Sequence, residues 1–154
     1  MLIYLIIIIM VILDQLFKIL IERNLVLGQS HPVIEGVFHL TYVQNPGAAF
    51  GFFKGYNEIL IVLTLIIIIG FLYIFHNYLV DSLLLKISFG LIISGGIGNL
   101  IDRIRLGYVI DYLDFRIWPV FNLADMIIVI GTVLFIIYLF LDNPVLKNKD
   151  FNLI

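Results

Sequence analysis

The chain has 154 residues, 62% of them hydrophobic, against ~45–50% in a soluble domain, and a mean hydropathy of +1.14 marks a membrane protein. A net charge of −2 argues against a nucleic-acid partner, since phosphate binding needs a basic face. The absence of cysteine excludes disulfides, thiolate metal sites and a cysteine nucleophile. The length suits one integral-membrane domain, residues 1–154.

Four hydrophobic runs approach the ~20 residues of a bilayer crossing. They cover residues 2–21, 59–75, 83–101 and 123–141. The first lacks the basic leader and A-x-A-like site of a cleavable signal peptide and is expected to be retained. Within it, Asp14 and Lys18 stand at i,i+4 on one helical face, a pair read as a structural salt bridge. A proton relay would need further acids at matching depth.

The connection Glu22–Asn57 carries an extended stretch, Val37–Gln44, in which Phe38, Leu40 and Tyr42 share a face. Asn45-Pro46-Gly47 then gives a turn signal, followed by the small residues Ala48 and Ala49. A short sheet on the membrane surface is expected, its edges kept out of hydrocarbon. Between the second and third runs lies a short turn, His76–Ser82.

The third run closes on Gly95-Gly96-Ile97-Gly98-Asn99, small residues that permit close helix approach. Asn99 and Asp102 share a helical face; Asp102 beside Arg103 is either half of an interfacial ion pair or a catalytic acid, and spacing does not decide. After Gly107, Tyr108–Phe115 reads as a strand with Asp111 and Asp114 on opposite faces. Asn122 is a good N-cap for the fourth run, which places Asp125 at N3, where an acid is favoured by the helix end alone. Tyr73, Tyr78, Tyr108, Tyr112, Trp118 and Tyr138 fall near the span ends, as interfacial rings do.

Acids at membrane depth are functional candidates. Asp102, Asp111, Asp114 and Asp125 crowd one stretch. Two close carboxylates share one proton, so that one serves as base and the other as acid. No H-E-x-x-H motif is present and His31, His39 and His76 are scattered, which argues against zinc; no serine constellation stands out. Two other classes compete. A proton-coupled carrier would spread Asp14, Asp102 and Asp125 through the membrane depth, and a non-catalytic scaffold would use its acids only for caps and arginine pairs.

Five blocks in order, DQLFK (14–18), NPGAAFG (45–51), GGIGNLIDR (95–103), GYVIDYLDF (107–115) and FNLAD (121–125), resemble the lipoprotein signal peptidase (signal peptidase II) family over nearly the whole chain. The segment between Asp111 and Asp125 is short beside some members. The resemblance implies a membrane α-helical fold: four transmembrane helices with a small β-sheet cradle in the first long connection. It implies a catalytic pair, Asp111 and Asp125, with Asn45, Asn99, Asp102, Arg103 and Asn122 binding substrate or supporting the site, Asp14–Lys18 as a structural pair, and neither metal nor cofactor. The implied substrate is a diacylglyceryl-modified prolipoprotein cut before its lipidated cysteine, the partners membrane lipid and the inhibitor globomycin. The implied state is a monomer, multi-pass in the bacterial plasma membrane, with both termini cytoplasmic. A bare count of cations instead sets Arg23, Lys54, Arg103, Arg105 and Arg116 of the long connections against Lys86, Lys147 and Lys149, and would put those connections inside.

Overall fold

The computed structural model describes residues 1–47, 55–77 and 82–141. Four helices, α1 (Leu2–Asn24), α2 (Asn57–Asn77), α3 (Leu83–Leu106) and α4 (Leu123–Leu141), are long and apolar enough to cross a membrane. Strands β1 (Ser30–Ile34), β2 (Phe38–Asn45) and β3 (Val109–Asp114) form an antiparallel sheet in the order β1-β2-β3. The third crossing runs past the expected Ile101 to Leu106, where Gly107, at φ 81°, closes it with a left-handed cap. Two expected features, Tyr78 and the small residues Ala48 and Ala49, lie outside the described residues.

In water the most apolar face turns inward. Here α1, α2 and α4 are the more apolar crossings and stay largely unburied, while α3, the least apolar, is 67% buried at the centre. Lipid covers leucine and isoleucine at no cost, so polar and small residues take the interior. The Gly95 backbone lies so near α4 that a Cβ would strike the Ala124 carbonyl and the Ile128 side chain. At Gly98 it would meet Asp14 Oδ2 of α1 at 2.5 Å. The glycine run thus seats α1 and α4 against α3.

Two apolar clusters hold the assembly. One, around Ile3, Phe89, Ile93 and Tyr138, joins the crossings at one end. The other seats the sheet on the opposite end through Ile21, Tyr42, Ile110 and Tyr112. Tyr138, 4% exposed, and Tyr112, also 4% exposed, are therefore core residues and not interfacial rings; Tyr73 and Trp118 are exposed as an interfacial ring would be. β1 has no counterpart in the sequence reading: every residue of Ser-His-Pro-Val-Ile is exposed, and only pairing with β2 defines it.

Candidate active site

β3 and the first turn of α4 carry the two carboxylates at the centre of a buried polar cluster. Asp111, 2% exposed, pairs in register with Val43 of β2. Its Oδ2 accepts from Asn45 Nδ2 at 2.9 Å and its Oδ1 from Asn122 Nδ2 at 2.7 Å. Asp125 is half-buried. Its Oδ1 accepts from Asn99 Nδ2 at 2.8 Å and its Oδ2 from the Asn122 backbone N–H at 3.3 Å. The Asp125 N–H donates back to Asn122 Oδ1 at 2.9 Å. This is a reciprocal N-cap, so the helix-end reading of Asp125 holds; it uses one carboxylate oxygen and leaves the other to Asn99.

The three amides are oriented by groups that only donate. The Asp125 N–H fixes Asn122 Oδ1, so Asn122 Nδ2 must face Asp111 and Asn99. The Gly47 N–H donates to Asn45 Oδ1 at 3.0 Å, which turns Asn45 Nδ2 onto Asp111. Lys18 Nζ at 2.9 Å and Asn122 Nδ2 at 3.1 Å both donate to Asn99 Oδ1, which turns Asn99 Nδ2 onto Asp125. Each carboxylate oxygen thereby holds one donor. Burial first, and then the Asp125 charge, push Asp111 up to about 7, against the pull of Asn45 and Asn122. Near neutral pH Asp111 is therefore only partly ionised.

Beside the pair sits a second cluster. Lys18, 1% exposed, bridges Asp14 Oδ2 and Asp102 Oδ2, each at 2.9 Å. Asp102 thus pairs with Lys18 and not with Arg103; its Oδ2 also accepts from the Ile110 N–H at 3.1 Å, tying down the residue before Asp111. Arg103 Nη2 donates to the Gly47 carbonyl at 3.1 Å and lies within electrostatic reach of Asp111 and Asp125. Asp14 does more than neutralise Lys18, since its Oδ1 accepts from the Ala124 N–H at 3.0 Å. Gln15, part of the DQLFK block but given no role there, donates to Asp102 Oδ1 at 2.9 Å and to the Gly98 carbonyl at 3.2 Å.

Asp114 takes no part. It points away from Asp111, accepting from Thr41 Oγ1 at 2.8 Å and from Arg116 Nη1 at 3.1 Å. Burial alone would raise it, but these bonds outweigh burial and hold it below its ordinary value. Burial also raises the Tyr112 hydroxyl, which stays neutral among the acids.

The cluster opens sideways onto a cleft of about 710 Å³ whose lining includes Asn45, Phe115, Trp118, Phe121, Asp125 and Val129. A cavity of about 680 Å³ between α1, the sheet and the start of α4 contains neither carboxylate. On the far side of α3, Asn99 and Arg103 edge a groove of about 360 Å³ with α2.

Residues 6–141 match the model of the family described as Signal peptidase (SPase) II. The chain belongs to the signal peptidase II family. Its similarity extends to a lipoprotein signal peptidase of Halothermothrix orenii, 51% identical over 93% of this chain and 98% of that one. A namesake from Clostridioides difficile is 49% identical over 90% and 94%. Two solved structures, each described as a bacterial membrane enzyme, superpose with TM-scores of 0.86 and 0.82 at 34% identity. The first covers 96% of this chain and 93% of its own, the second 92% and 94%. Signal peptidase II membership makes this chain a multi-pass membrane protease, and the sheet and four crossings are the fold it shares with those enzymes.

Proposed function

We propose that this protein is a lipoprotein signal peptidase that hydrolyses the peptide bond before the diacylglyceryl-cysteine of a prolipoprotein, with Asp111 and Asp125 as the reacting pair. One observation carries the reading: two carboxylates from different elements meet around Asn122, one of them at the wall of an apolar cleft. The relatives' shared name supports the substrate class. An apolar cleft beside lipid suits a peptide that carries acyl chains.

Asp111, pushed up to about 7, holds the proton at rest. Asp125 is the base, facing the cations of Arg103 and Lys18. Asp125 takes a proton from water as the oxygen attacks the scissile carbonyl carbon, and Asp111 gives its proton to the carbonyl oxygen. The tetrahedral diol then collapses: its hydroxyl returns a proton to Asp111, the C–N bond breaks, and Asp125 passes its proton to the leaving nitrogen. The carboxylates end as they began. Asn45, Asn99 and Asn122 hold them in place, and Asp102 and Arg103 support the strand and the loop that carry Asp111 and Asn45. Neither metal nor cofactor is needed. The enzyme works as a monomer in the bacterial plasma membrane, its termini cytoplasmic and its site near the outer leaflet.

The test is cleavage of a diacylglyceryl-modified prolipoprotein by the purified protein beside Asp111→Asn and Asp125→Asn. Cleavage before the lipidated cysteine, abolished in both variants and blocked by globomycin, is expected. Near-wild-type cleavage by either folded variant refutes the pair.

A further inference from the structure

Among the described residues Lys18 is the one fully buried cation in contact with the site, and none of the proton transfers above passes through it. A pair with Asp14 alone would neutralise it. Instead the ammonium also spans to α3, where it reaches Asp102 Oδ2 and Asn99 Oδ1, each at 2.9 Å. An ammonium has three protons and no acceptor, and Asp14, Asp102 and Asn99 take one each. The bond to Asn99 decides something outside the ion cluster. Rotating the Asn99 amide by a half turn would set its NH₂ against the Lys18 ammonium and the Asn122 NH₂, and its carbonyl against the Asp125 carboxylate.

We propose that Lys18 is a positioning residue for hydrolysis, acting through Asn99: it locks the amide so that Nδ2 donates to Asp125 and holds that carboxylate ionised and aimed as the base. This rests on the reading of Asp111 and Asp125 as the reacting pair. A hydrogen bond to the charged form of an acid favours that form. Without the lock, the acidic limb of the cleavage profile moves to higher pH. The charges facing Asp125 are Lys18 and Asp14 from α1, Asp102 and Arg103 from α3, and Asp111 from β3.

Lys18→Met leaves Asp14 and Asp102 without a counter-ion and removes a positive charge, so an upward shift there has two causes. The triple variant Asp14→Asn/Lys18→Met/Asp102→Asn removes a net negative charge, so the two lost carboxylates offset the lost ammonium, which is the strongest single charge acting on Asp125. The lost lock is told apart from the lost charge by Asn99→Ala, which removes the Nδ2 donor and keeps the Lys18 ammonium. The expectation for the triple variant is a limb raised by about half to one pH unit and cleavage reduced about tenfold to a hundredfold, the scale of one charge-assisted hydrogen bond. Asn99→Ala gives a similar shift, and adding it to the triple variant gives little more.

The measurement is kcat/KM against pH on the lipidated prolipoprotein in detergent micelles, with melting temperature recorded for each variant. A triple variant that folds and loses rate with an unmoved or lowered limb makes Lys18 purely structural and overturns the proposal. So does a triple variant that cannot be recovered folded while Asn99→Ala can, or a shift that adds fully to that of Asn99→Ala. Retained cleavage in Asp111→Asn or Asp125→Asn is a different failure, that of the reacting pair itself.

Discussion

Asn122 makes two kinds of bond, and they separate by substitution. Its Oδ1 caps α4 by accepting from the Asp125 N–H; its Nδ2 donates to Asp111 Oδ1 at 2.7 Å and to Asn99 Oδ1 at 3.1 Å. Serine caps a helix as well as asparagine does, but its hydroxyl is too short to reach both partners while capping. Asn122→Ser therefore keeps the cap and loses the donations, and Asn122→Ala loses both. The cap is worth about 1 kcal/mol, so alanine melts below serine by an amount of that order. The lost bond to the Asp111 carboxylate is worth about 1.5–3 kcal/mol, or about one to two pH units. Asn122 holds Asp111 down against burial, so without it Asp111 rises above about 7. Both variants should then show the alkaline limb of cleavage moved up by about one unit and a plateau reduced tenfold or more. The assay is the pH profile of prolipoprotein cleavage together with thermal melts. An alkaline limb that stays in place in both folded variants would refute the role given to Asp111 as proton holder.

Other outcomes follow from the same geometry. Asp111 is raised, so the stability it adds is full below the unfolded value near 3.8 and is lost as pH climbs through about 7; denaturant melts should weaken by up to about 4 kcal/mol from pH 4 to pH 8, and Asp111→Asn should flatten that slope. Asp102→Asn keeps an acceptor for the Ile110 N–H and leaves the Asp14–Lys18 pair neutral, so it should lose about tenfold in cleavage, less than either Asp111→Asn or Asp125→Asn; a loss equal to theirs would place Asp102 among the reacting groups. Gly95→Ala drives a methyl into the Ala124 carbonyl and should cost about 1–3 kcal/mol in melting together with most of the activity, whereas Gly70→Ala, which meets nothing within 4 Å, should do neither. The chain has no cysteine, so Val33→Cys on the exposed β1 reports topology: labelling of intact cells by a membrane-impermeant maleimide is expected, and labelling only after permeabilisation would favour the cation count over the family orientation.

The crossings were legible because lipid demands length and apolarity and little else, and only the end of α3 needed the glycine cap to place it. The polar residues were legible as motifs but not as geometry. Asn99, Asn122 and Asn45 were named, yet nothing in their spacing says that each is turned by a backbone N–H or an ammonium. The Asp102 partner was missed because sequence arithmetic looks at neighbours and at i,i+4, and Lys18 lies on another helix. Gln15 was hidden beside Asp14, with no periodicity to mark it as facing α3. β1 was invisible since its residues bury nothing. Tyr138 sits near a span end like an interfacial ring, but packing against Ile3 and Phe89 decides its place.

The position of the site follows from the solvent. A carboxylate deep in an apolar medium loses several kcal/mol of hydration, which fixed donors must replace. Asp14 and Asp102 obtain those donors from Lys18, the Ala124 N–H, Gln15 and the Ile110 N–H. Asp111 and Asp125 receive amide and backbone donors, and among the described residues no cation touches either. Direct contact with an ammonium would favour both anions and abolish the shared proton that the proposed mechanism needs; amide donors orient the oxygens without deciding the charge so strongly. The fold thus keeps its buried cation one amide away from the pair. Asn99 is the residue that makes the separation, reachable from Asp125 because Gly95 lets α4 close on α3 one turn earlier.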